Sequence, residues 1–323
     1  MSNLSAKPIV AILIVLLVAG NFVRGPKPEI VVPAEPLFSV AGFLVTNTFV
    51  ATWVTIVVLL LLFRAATSNM QPVPRGVQNV FEMAVEALHS LVMGIAGERY
   101  GRYFFPLVAT IFFFVITNSW LSLIPGFGTV GLVHEAEHEE GIPFQQAGPL
   151  ALVMPGATVI EPGAHAPEGS TVGKLVPILR GANTDLNTTL GLALIAMVFV
   201  EFWGIRANGL VGYGSKFVNV GNLLRGQVAF GLIDVIVGFL EFISELARVV
   251  SFAFRLFGNM FAGEVLLLII MFLVPWVFAI LFYGFEVFVG FIQAVVFAGL
   301  TLVFTTMAVA GHGEGHERAE GHH

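Results

Sequence analysis

The chain contains no cysteine, which excludes disulfide bonds, a thiolate nucleophile and cysteine-ligated iron–sulfur clusters. Charged residues are also scarce, at 11% of the sequence, whereas an ordinary soluble domain has roughly 25%. The net charge is -6 and the few basic residues are scattered, so the chain has no basic patch for nucleic acid. Hydrophobic residues make up 57% of the chain. This composition predicts an all-α polytopic membrane protein in contact with the lipid bilayer.

Several chemical motifs are also missing from the sequence. No histidine lies inside a clear apolar span, so a transmembrane haem would lack its axial ligands. No span contains a Ser/His pair or an HExxH motif, as an intramembrane protease would require. A GxxxxGK[ST] phosphate loop is absent, so the chain does not itself hydrolyse a nucleotide. We therefore predict no cofactor and no enzymatic activity of the isolated chain.

The N-terminal third divides into two segments. Residues 1–42 hold an apolar run at 8–23, which is either a signal-peptide core or an extra span, followed by an exposed Pro-rich linker expected on the outer side of the membrane. Residues 43–125 contain two predicted membrane helices with an amphipathic helix between them, which is either interfacial or a helix that covers a loop. These three helices are predicted at 43–63, 77–96 and 104–124.

The next segment, residues 126–182, is rich in Gly, Pro, His and Glu and is predicted to be a long extramembrane loop. Its HEAEH sequence at 134–138 would place two histidines on one face only if it were helical, and no third ligand follows at a defined spacing. We therefore predict no metal site. A Gly- and His-rich tail at 311–323 ends the chain.

Residues 183–310 hold the core helices. One span is predicted at 186–203, a charged helix begins near Leu232, and 266–310 form its hairpin partner, with Pro275 marking a start or a kink. The sequence thus predicts about five to six membrane helices, including a long, tilted, charged helical hairpin at the C-terminal end.

Basic residues predict the orientation of the chain, because Lys and Arg are retained on the cytoplasmic side. They flank two loops, which we expect to be cytoplasmic together with the tail. The residues are Arg64, Arg75, Arg99 and Arg102 in one loop, and Arg206, Lys216 and Arg225 in the other. The loop at 126–182 is then on the outer side.

Charged residues recur within the apolar sequence of the charged helix that begins near Leu232. Asp234, Glu241, Arg248 and Arg255 are spaced seven apart, which places them on one slowly drifting stripe of a helix. Charges in a membrane helix normally face a protein partner or a water-filled path, and ion pathways are their commonest use. Glu286 and Gln293, also seven apart, form a second polar stripe on the last helix, and the two stripes could shelter such a path.

The two arginines differ in their surroundings. Arg248 follows Glu245 by three residues and Glu241 by seven, so we predict a structural ion pair with one of them. Arg255 has no acid three or four residues away, so its counter-charge is expected from another helix or another subunit.

Two other classes of protein are alternatives for a chain with a charged membrane helix. A secondary ion transporter or antiporter would act alone around buried acids, but we find no inverted repeat, since the charged stripe occurs once. A purely structural anchor would have no use for a run of buried charges that is costly to insert.

Four sequence blocks carry a resemblance to a known family. RLFGNMFAGE at 255–264 resembles the signature of subunit a of the F-type ATP synthase. Three more blocks agree in type and in order: NSWLSLIP at 118–125, DLNTTLGLAL at 185–194 and FEVFVGFIQAVVFAGLT at 285–301. The chain departs from the family in its long 126–182 loop, its His-rich tail, its first apolar run and Ser122 in place of a usual glycine.

The resemblance implies a stator subunit with two proton half-channels against the rotating ring of c subunits, attached to the b-subunit peripheral stalk and the rest of the ATP synthase. It implies a location in the inner (plasma) membrane of a bacterium. Arg255 would face the ring, and further polar residues would form the proton path. These are Glu264, Glu286, Gln293, Glu241, Asn259 and Ser251. Our hypothesis places Glu264, Glu286 and Gln293 on the outer side of the path, and Glu241 with Asp234 on the inner side.

Overall fold

The structure of the chain is a computed structural model, and it describes seven ranges of residues. These are 30–128, 130–135, 142–147, 150–153, 171–217, 228–273 and 277–310. The apolar run at 8–23 and the tail at 311–323 lie outside the described residues, as does most of the HEAEH sequence.

Five helices in the described part of the chain are long and apolar enough to cross a membrane. They are α1 (Asn47–Thr67), α2 (Val77–Leu121), α3 (Leu186–Gly214), α4 (Val228–Leu273) and α5 (Val277–Ala310). Large apolar side chains remain exposed on them, among them Leu60, Val198, Phe239 and Ile280. Exposed apolar surface of this kind suits contact with lipid. The predicted all-α polytopic membrane fold is confirmed.

Helix α1 begins four residues later than the sequence predicts. Phe43–Thr46 forms strand β2, which pairs in antiparallel fashion with β1 (Pro36–Val40). The side-chain oxygen of Thr46 accepts a hydrogen bond from the backbone N–H of Phe49 at 3.3 Å, the interaction of a helix N-cap. The apolar run of 43–63 therefore holds a strand end as well as a helix, and the hydrogen bonding of Thr46 sets the boundary.

Two glycines interrupt long helices. In α2, Gly97 has φ 69° and ψ 169°, so the helix that starts at Val77 breaks there and a second helical segment continues to Leu121. The sequence predicts the first of these helices to end at Ala96, next to the break. In α3, Gly209 has φ 74° and ψ 160°, and the helix runs beyond the predicted end at residue 203. Both glycines are in the left-handed region, which other residues rarely adopt.

The last two helices form the predicted hairpin. Helix α4 has 46 residues, which corresponds to about 70 Å at 1.5 Å per residue, more than twice the ~30 Å hydrocarbon core of a bilayer. Such a helix must tilt strongly or extend beyond the core. Residues 266–273, predicted to belong to the last helix, continue α4 instead, and α5 begins at Val277 after the position of Pro275.

The segment at 126–182 contains strands that the sequence analysis did not predict. They are β3 (Pro125–Gly128), β4 (Val130–Glu135), β5 (Ile142–Ala147), β6 (Leu150–Val153) and β7 (Thr171–Pro177). Strands β4 and β5 each pair with both β6 and β7, so these four strands close on one another. His134 and Glu135 lie in β4, which is extended and not the helix that two histidines four apart would need to share a face.

Contacts divide the chain into two compact units, and several helices contribute residues to both. The first unit comprises Met1–Val58, Val115–Asp185 and Phe257–Ile292, and the second comprises Leu59–Phe114, Leu186–Leu256 and Gln293–His323. Aromatic rings fill the described interior of the second unit. Phe104 is fully buried and contacts the rings of Phe199 and Trp203, and Phe252 contacts those of Phe297 and Phe304.

Replacement of Gly97 by alanine should destabilise the protein through backbone strain alone, because no atom lies within 4 Å of an added Cβ. A non-glycine residue in this conformation costs about 1–3 kcal/mol. Gly94 is the matched control, because it is helical and no atom lies within 4 Å of its added Cβ either. Replacing Gly94 by alanine should stabilise the protein by up to about 1 kcal/mol. Thermal unfolding in mild detergent measures both, and equal shifts for the two variants would contradict the assigned break.

Candidate functional site

Glu264, predicted to line a path, forms an ion pair within the first unit. Nε of Arg180 donates to Oε1 of Glu264 at 3.1 Å, and Nη2 of Arg180 donates to Oε2 at 3.1 Å. Nη1 donates to the carbonyl oxygen of Pro33 at 3.2 Å, and the guanidinium lies 5.8 Å from the ring centre of Phe261. Arg180 is only 6% exposed. This two-pronged contact fixes the orientation of the Glu264 carboxylate.

Sequence reasoning missed Arg180, because it assigned the residue to the extramembrane segment at 126–182. The available signal is weak: Arg180 is a single basic residue that precedes the DLNTTLGLAL block by five positions. Its partner lies 84 residues away in the chain, so no local spacing could reveal the pair.

Glu286 of α5 is buried and packs against α4. The carboxylate contacts Gly263 so closely that a Cβ at this position would overlap it. Because Gly263 directly precedes Glu264, Glu286 lies beside the backbone that carries the second carboxylate. Glu286 makes no ion pair with any residue that the structure describes. The first unit therefore brings together the carboxyl group of Glu264, which is paired with Arg180, and that of Glu286, which has no cation beside it in the described part of the chain.

Residues of the blocks at 118–125 and 185–194 form buried hydrogen bonds in the first unit. Nδ2 of Asn118 donates to Oγ1 of Thr55 at 3.1 Å, and the backbone N–H of Asn183 donates to Oδ1 of Asn118 at 3.2 Å. Oγ1 of Thr48 donates to Oδ2 of Asp185 at 2.8 Å. These contacts join α1, α2 and the turn before α3. The resemblance in these blocks identifies the family but predicts no role for Asn118 or Asp185.

Two atoms of the same interior have no hydrogen-bond partner among the described residues. They are Nδ2 of Asn47 and Oδ1 of Asn183, in side chains that are 0% and 1% exposed. Buried polar groups without a protein partner usually bind internal water. The interior of the first unit is thus polar enough to hold water.

Four charged side chains form a network in the second unit. Nζ of Lys216 lies 2.8 Å from Oε1 of Glu241 and 2.6 Å from Oε1 of Glu245. Nη1 of Arg248 lies 2.9 Å from Oε1 of Glu245, and Nη2 lies 3.8 Å from Oε1 of Glu241. The structure therefore places Arg248 against both acids that the sequence offers as partners.

Lys216 is the member of this network that sequence reasoning missed, since only its charge was used, to predict orientation. Burial alone would lower the pKa of Lys216, but hydrogen bonds to Glu241 and Glu245 and their negative charges outweigh burial and raise the pKa. Lys216 is thus a cation at neutral pH. It binds Glu241, which the sequence analysis assigned to the inner half of the path.

The remaining predicted residues occupy different positions. Arg255 is exposed on α4, as are Ser251 and Asn259, which lie four residues to either side and so share its helix face. Arg255 makes no ion pair with any residue that the structure describes. Gln293 of α5 is 4% exposed, and Asp234 near the start of α4 is half-buried.

These features define an α-helical polytopic membrane protein whose long C-terminal hairpin carries charged side chains within strongly apolar helices. The model of the family described as ATP synthase A chain matches residues 49–306. The chain therefore belongs to this family, that of subunit a of the F-type ATP synthase. It is a component of the membrane sector of that complex, which disfavours an ion transporter acting alone.

Curated relatives named ATP synthase subunit a agree with this assignment. The protein of Helicobacter hepaticus is 31% identical over 279 residues, which cover 85% of this chain and 96% of the relative. That of Campylobacter jejuni is 32% identical over 251 residues, which cover 76% and 84%. That of Nitratiruptor is 28% identical over 270 residues, which cover 84% and 91%.

Arg180→Gln should destabilise the protein by about 3 kcal/mol, because it leaves the Glu264 carboxylate without its cation. This value is at the low end for a broken buried pair, since the side chain of Glu264 is 29% exposed. Glu264→Gln and the double variant complete a cycle in which we expect a coupling of at least about 1 kcal/mol. Unfolding midpoints in detergent measure the four proteins. Additive effects would show that the two side chains do not interact.

Gly263→Ala should destabilise the protein by about 1–3 kcal/mol, because the new Cβ overlaps the Glu286 carboxylate. Glu286→Ala in the same chain should restore much of the loss by vacating that space. Gly258→Ala is the control on the same helix, because no atom lies within 4 Å of its added Cβ. Thermal unfolding checks the series, and failure of the second change to restore stability would contradict the contact.

Proposed function

We propose that this chain is the stator subunit that forms two proton half-channels against a rotating ring of c subunits and couples proton flow to rotation and ATP synthesis. The observation that carries the proposal is Arg255, an exposed guanidinium on an apolar helix with no ion pair among the described residues. A guanidinium does not lose its proton at accessible pH, and a charge facing lipid is costly. A carboxylate on a neighbouring ring would supply the missing counter-charge.

The outer half-channel is formed by Glu264, Glu286 and Gln293 in this proposal. Glu286 is a buried carboxyl group without a cation, so it can take up and release a proton. Arg180 orients Glu264. The unpartnered polar atoms of Asn47 and Asn183 support a hydrated interior. The carboxamide of Gln293 can bind water or a guanidinium but does not titrate.

The inner half-channel runs past Glu241 and Asp234. The two acids and two bases of the network around Glu241 give this region a charged lining, which supports access of water from the cytoplasmic side. Ser251 and Asn259 share the exposed face of Arg255 and would contact the ring beside it.

The mechanism depends on the charge state of the ring carboxyl group. A proton from the outer half-channel neutralises it, and the neutral acid can turn through lipid because it avoids most of the burial cost of a carboxylate. Near Arg255 the ionised form is favoured, so the group releases its proton to the inner half-channel. The fixed positive charge of Arg255 also blocks a direct leak between the half-channels.

The same proposal specifies the membrane and the partner subunits of the chain. It lies in the inner (plasma) membrane of a bacterium, bound to the c-subunit ring and to the b-subunit peripheral stalk. The bacterial sources of the relatives and the basic residues at the loops predicted to be cytoplasmic support this location.

Arg255→Ala should reduce proton-driven ATP synthesis in membrane vesicles to background, because the ring carboxylate loses the cation that favours its ionised form. Passive proton permeation through the membrane sector should persist or rise, because the barrier between the half-channels is lost. Arg64→Ala is the matched control, since Arg64 is also an exposed arginine on a membrane helix but has no proposed role. We expect it to retain synthesis.

Assembly of the complex must be verified for both variants by native electrophoresis. Normal coupled synthesis by assembled Arg255→Ala complexes would refute the proposed function.

A further inference from the structure

The second unit contains a cleft of about 630 Å³ that none of the proposed proton-path residues lines. It is formed by residues of α2 that follow the break at Gly97 and by residues of α3 that precede the break at Gly209. The lining residues are Glu98, Arg99, Tyr100, Arg102, Tyr103, Trp203, Arg206 and Ala207.

The cleft carries an excess of positive charge. Three arginines and one glutamate line it, which leaves a net charge of two positive units. Arg99, Arg102 and Arg206 are exposed, and none of them forms an ion pair with a residue in the described ranges. Three guanidinium groups without ion pairs, opposed by one carboxylate, attract an anion to this opening.

Aromatic rings hold two of these guanidinium groups in place. The guanidinium of Arg99 lies 5.4 Å from the ring centre of Tyr100. The guanidinium of Arg206 lies 5.6 Å from the ring centre of Trp203. The rings of Tyr103 and Trp203 are 5.4 Å apart. A guanidinium over an aromatic face keeps its edge N–H groups available for a phosphate.

Trp203 contributes its aromatic ring to the cleft, and the guanidinium of Arg206 lies over that ring. Its Nε1 atom is buried, so a ligand in the open cleft would contact the ring and the arginines and not this N–H group.

The position of the cleft in the sequence favours a lipid ligand. Its residues lie next to breaks in two membrane helices, and Arg99, Arg102 and Arg206 belong to the loops predicted to be cytoplasmic. Tyr and Trp concentrate at the membrane–water interface, where lipid headgroups lie. Basic pockets between membrane helices on the cytoplasmic side are a known form of site for anionic headgroups.

We propose that this cleft binds the phosphate-bearing headgroup of an anionic phospholipid from the cytoplasmic leaflet, and that it prefers a headgroup with two phosphates. The two net positive charges of the lining match two phosphates, and the arginines provide the planar donors that phosphate accepts in pairs. This inference goes beyond the proposed function, because it requires neither half-channel nor the ring.

Native mass spectrometry of the purified complex containing the full chain tests the proposal. Cardiolipin, phosphatidylglycerol and phosphatidylcholine are titrated in turn, and the retained lipids are counted. We expect cardiolipin to bind most tightly and phosphatidylcholine to show no specific retention. Arg99→Gln and Arg206→Gln should each weaken retention of cardiolipin about fivefold, since an arginine near an anionic surface contributes about 1 kcal/mol. Arg206→Lys, which keeps the charge, should weaken it less.

Arg75→Gln is the matched control, because Arg75 is an exposed arginine predicted on the same side but does not line the cleft. Unchanged retention in the Arg99→Gln/Arg206→Gln double variant would overturn the proposal, as would an equal loss in Arg75→Gln, which would indicate non-specific attraction. Displacement of the lipid by millimolar inorganic phosphate would assign the cleft to a soluble anion. Loss of another subunit with no change in lipid would assign it to a protein interface.

Discussion

The organisation of this protein depends on the high free energy of a charge in hydrocarbon. Each charged side chain on the core helices therefore needs a counter-charge or water. Glu264 has Arg180, and Glu241 and Glu245 have Lys216 and Arg248. Arg255 differs from all of these, since no described residue pairs with it. Among the described residues of α4 and α5, Arg248 is therefore paired within the chain and Arg255 is left for a partner.

The small polar residues of the first unit have a supporting role in this arrangement. Asn118 and Asn183 join helices through hydrogen bonds whose partners are far apart in the chain, with separations of 63 and 65 residues. In a membrane, such contacts and close backbone packing replace the hydrophobic effect as the source of helix association. They hold the framework in which Glu264 and Glu286 are positioned, so the family's NSW block is a structural element as much as a marker of identity.

Sequence reasoning succeeded where the relevant signal is local. Apolar runs located the membrane helices, the pattern up to Ala96 located the break at Gly97, and the three-residue spacing of Glu245 and Arg248 pointed to their contact. It failed where the contact joins distant segments, as for Lys216 and Arg180, because periodicity within a helix carries no information about another helix. The strands at 126–182 were missed for a related reason, since their pairing is non-local and the composition resembles a loop.

The contact between Gly263 and Glu286 also affects how sequence variation in this family should be interpreted. Position 263 has no space for a side chain while a carboxylate occupies the space in front of it, so the residues at the two positions are sterically dependent. If a related chain has a larger residue at the position of Gly263, the side chain at the position of Glu286 must be smaller or must point in another direction. Because either change alone would create an overlap or leave a void, we expect the residues at these two positions to vary together.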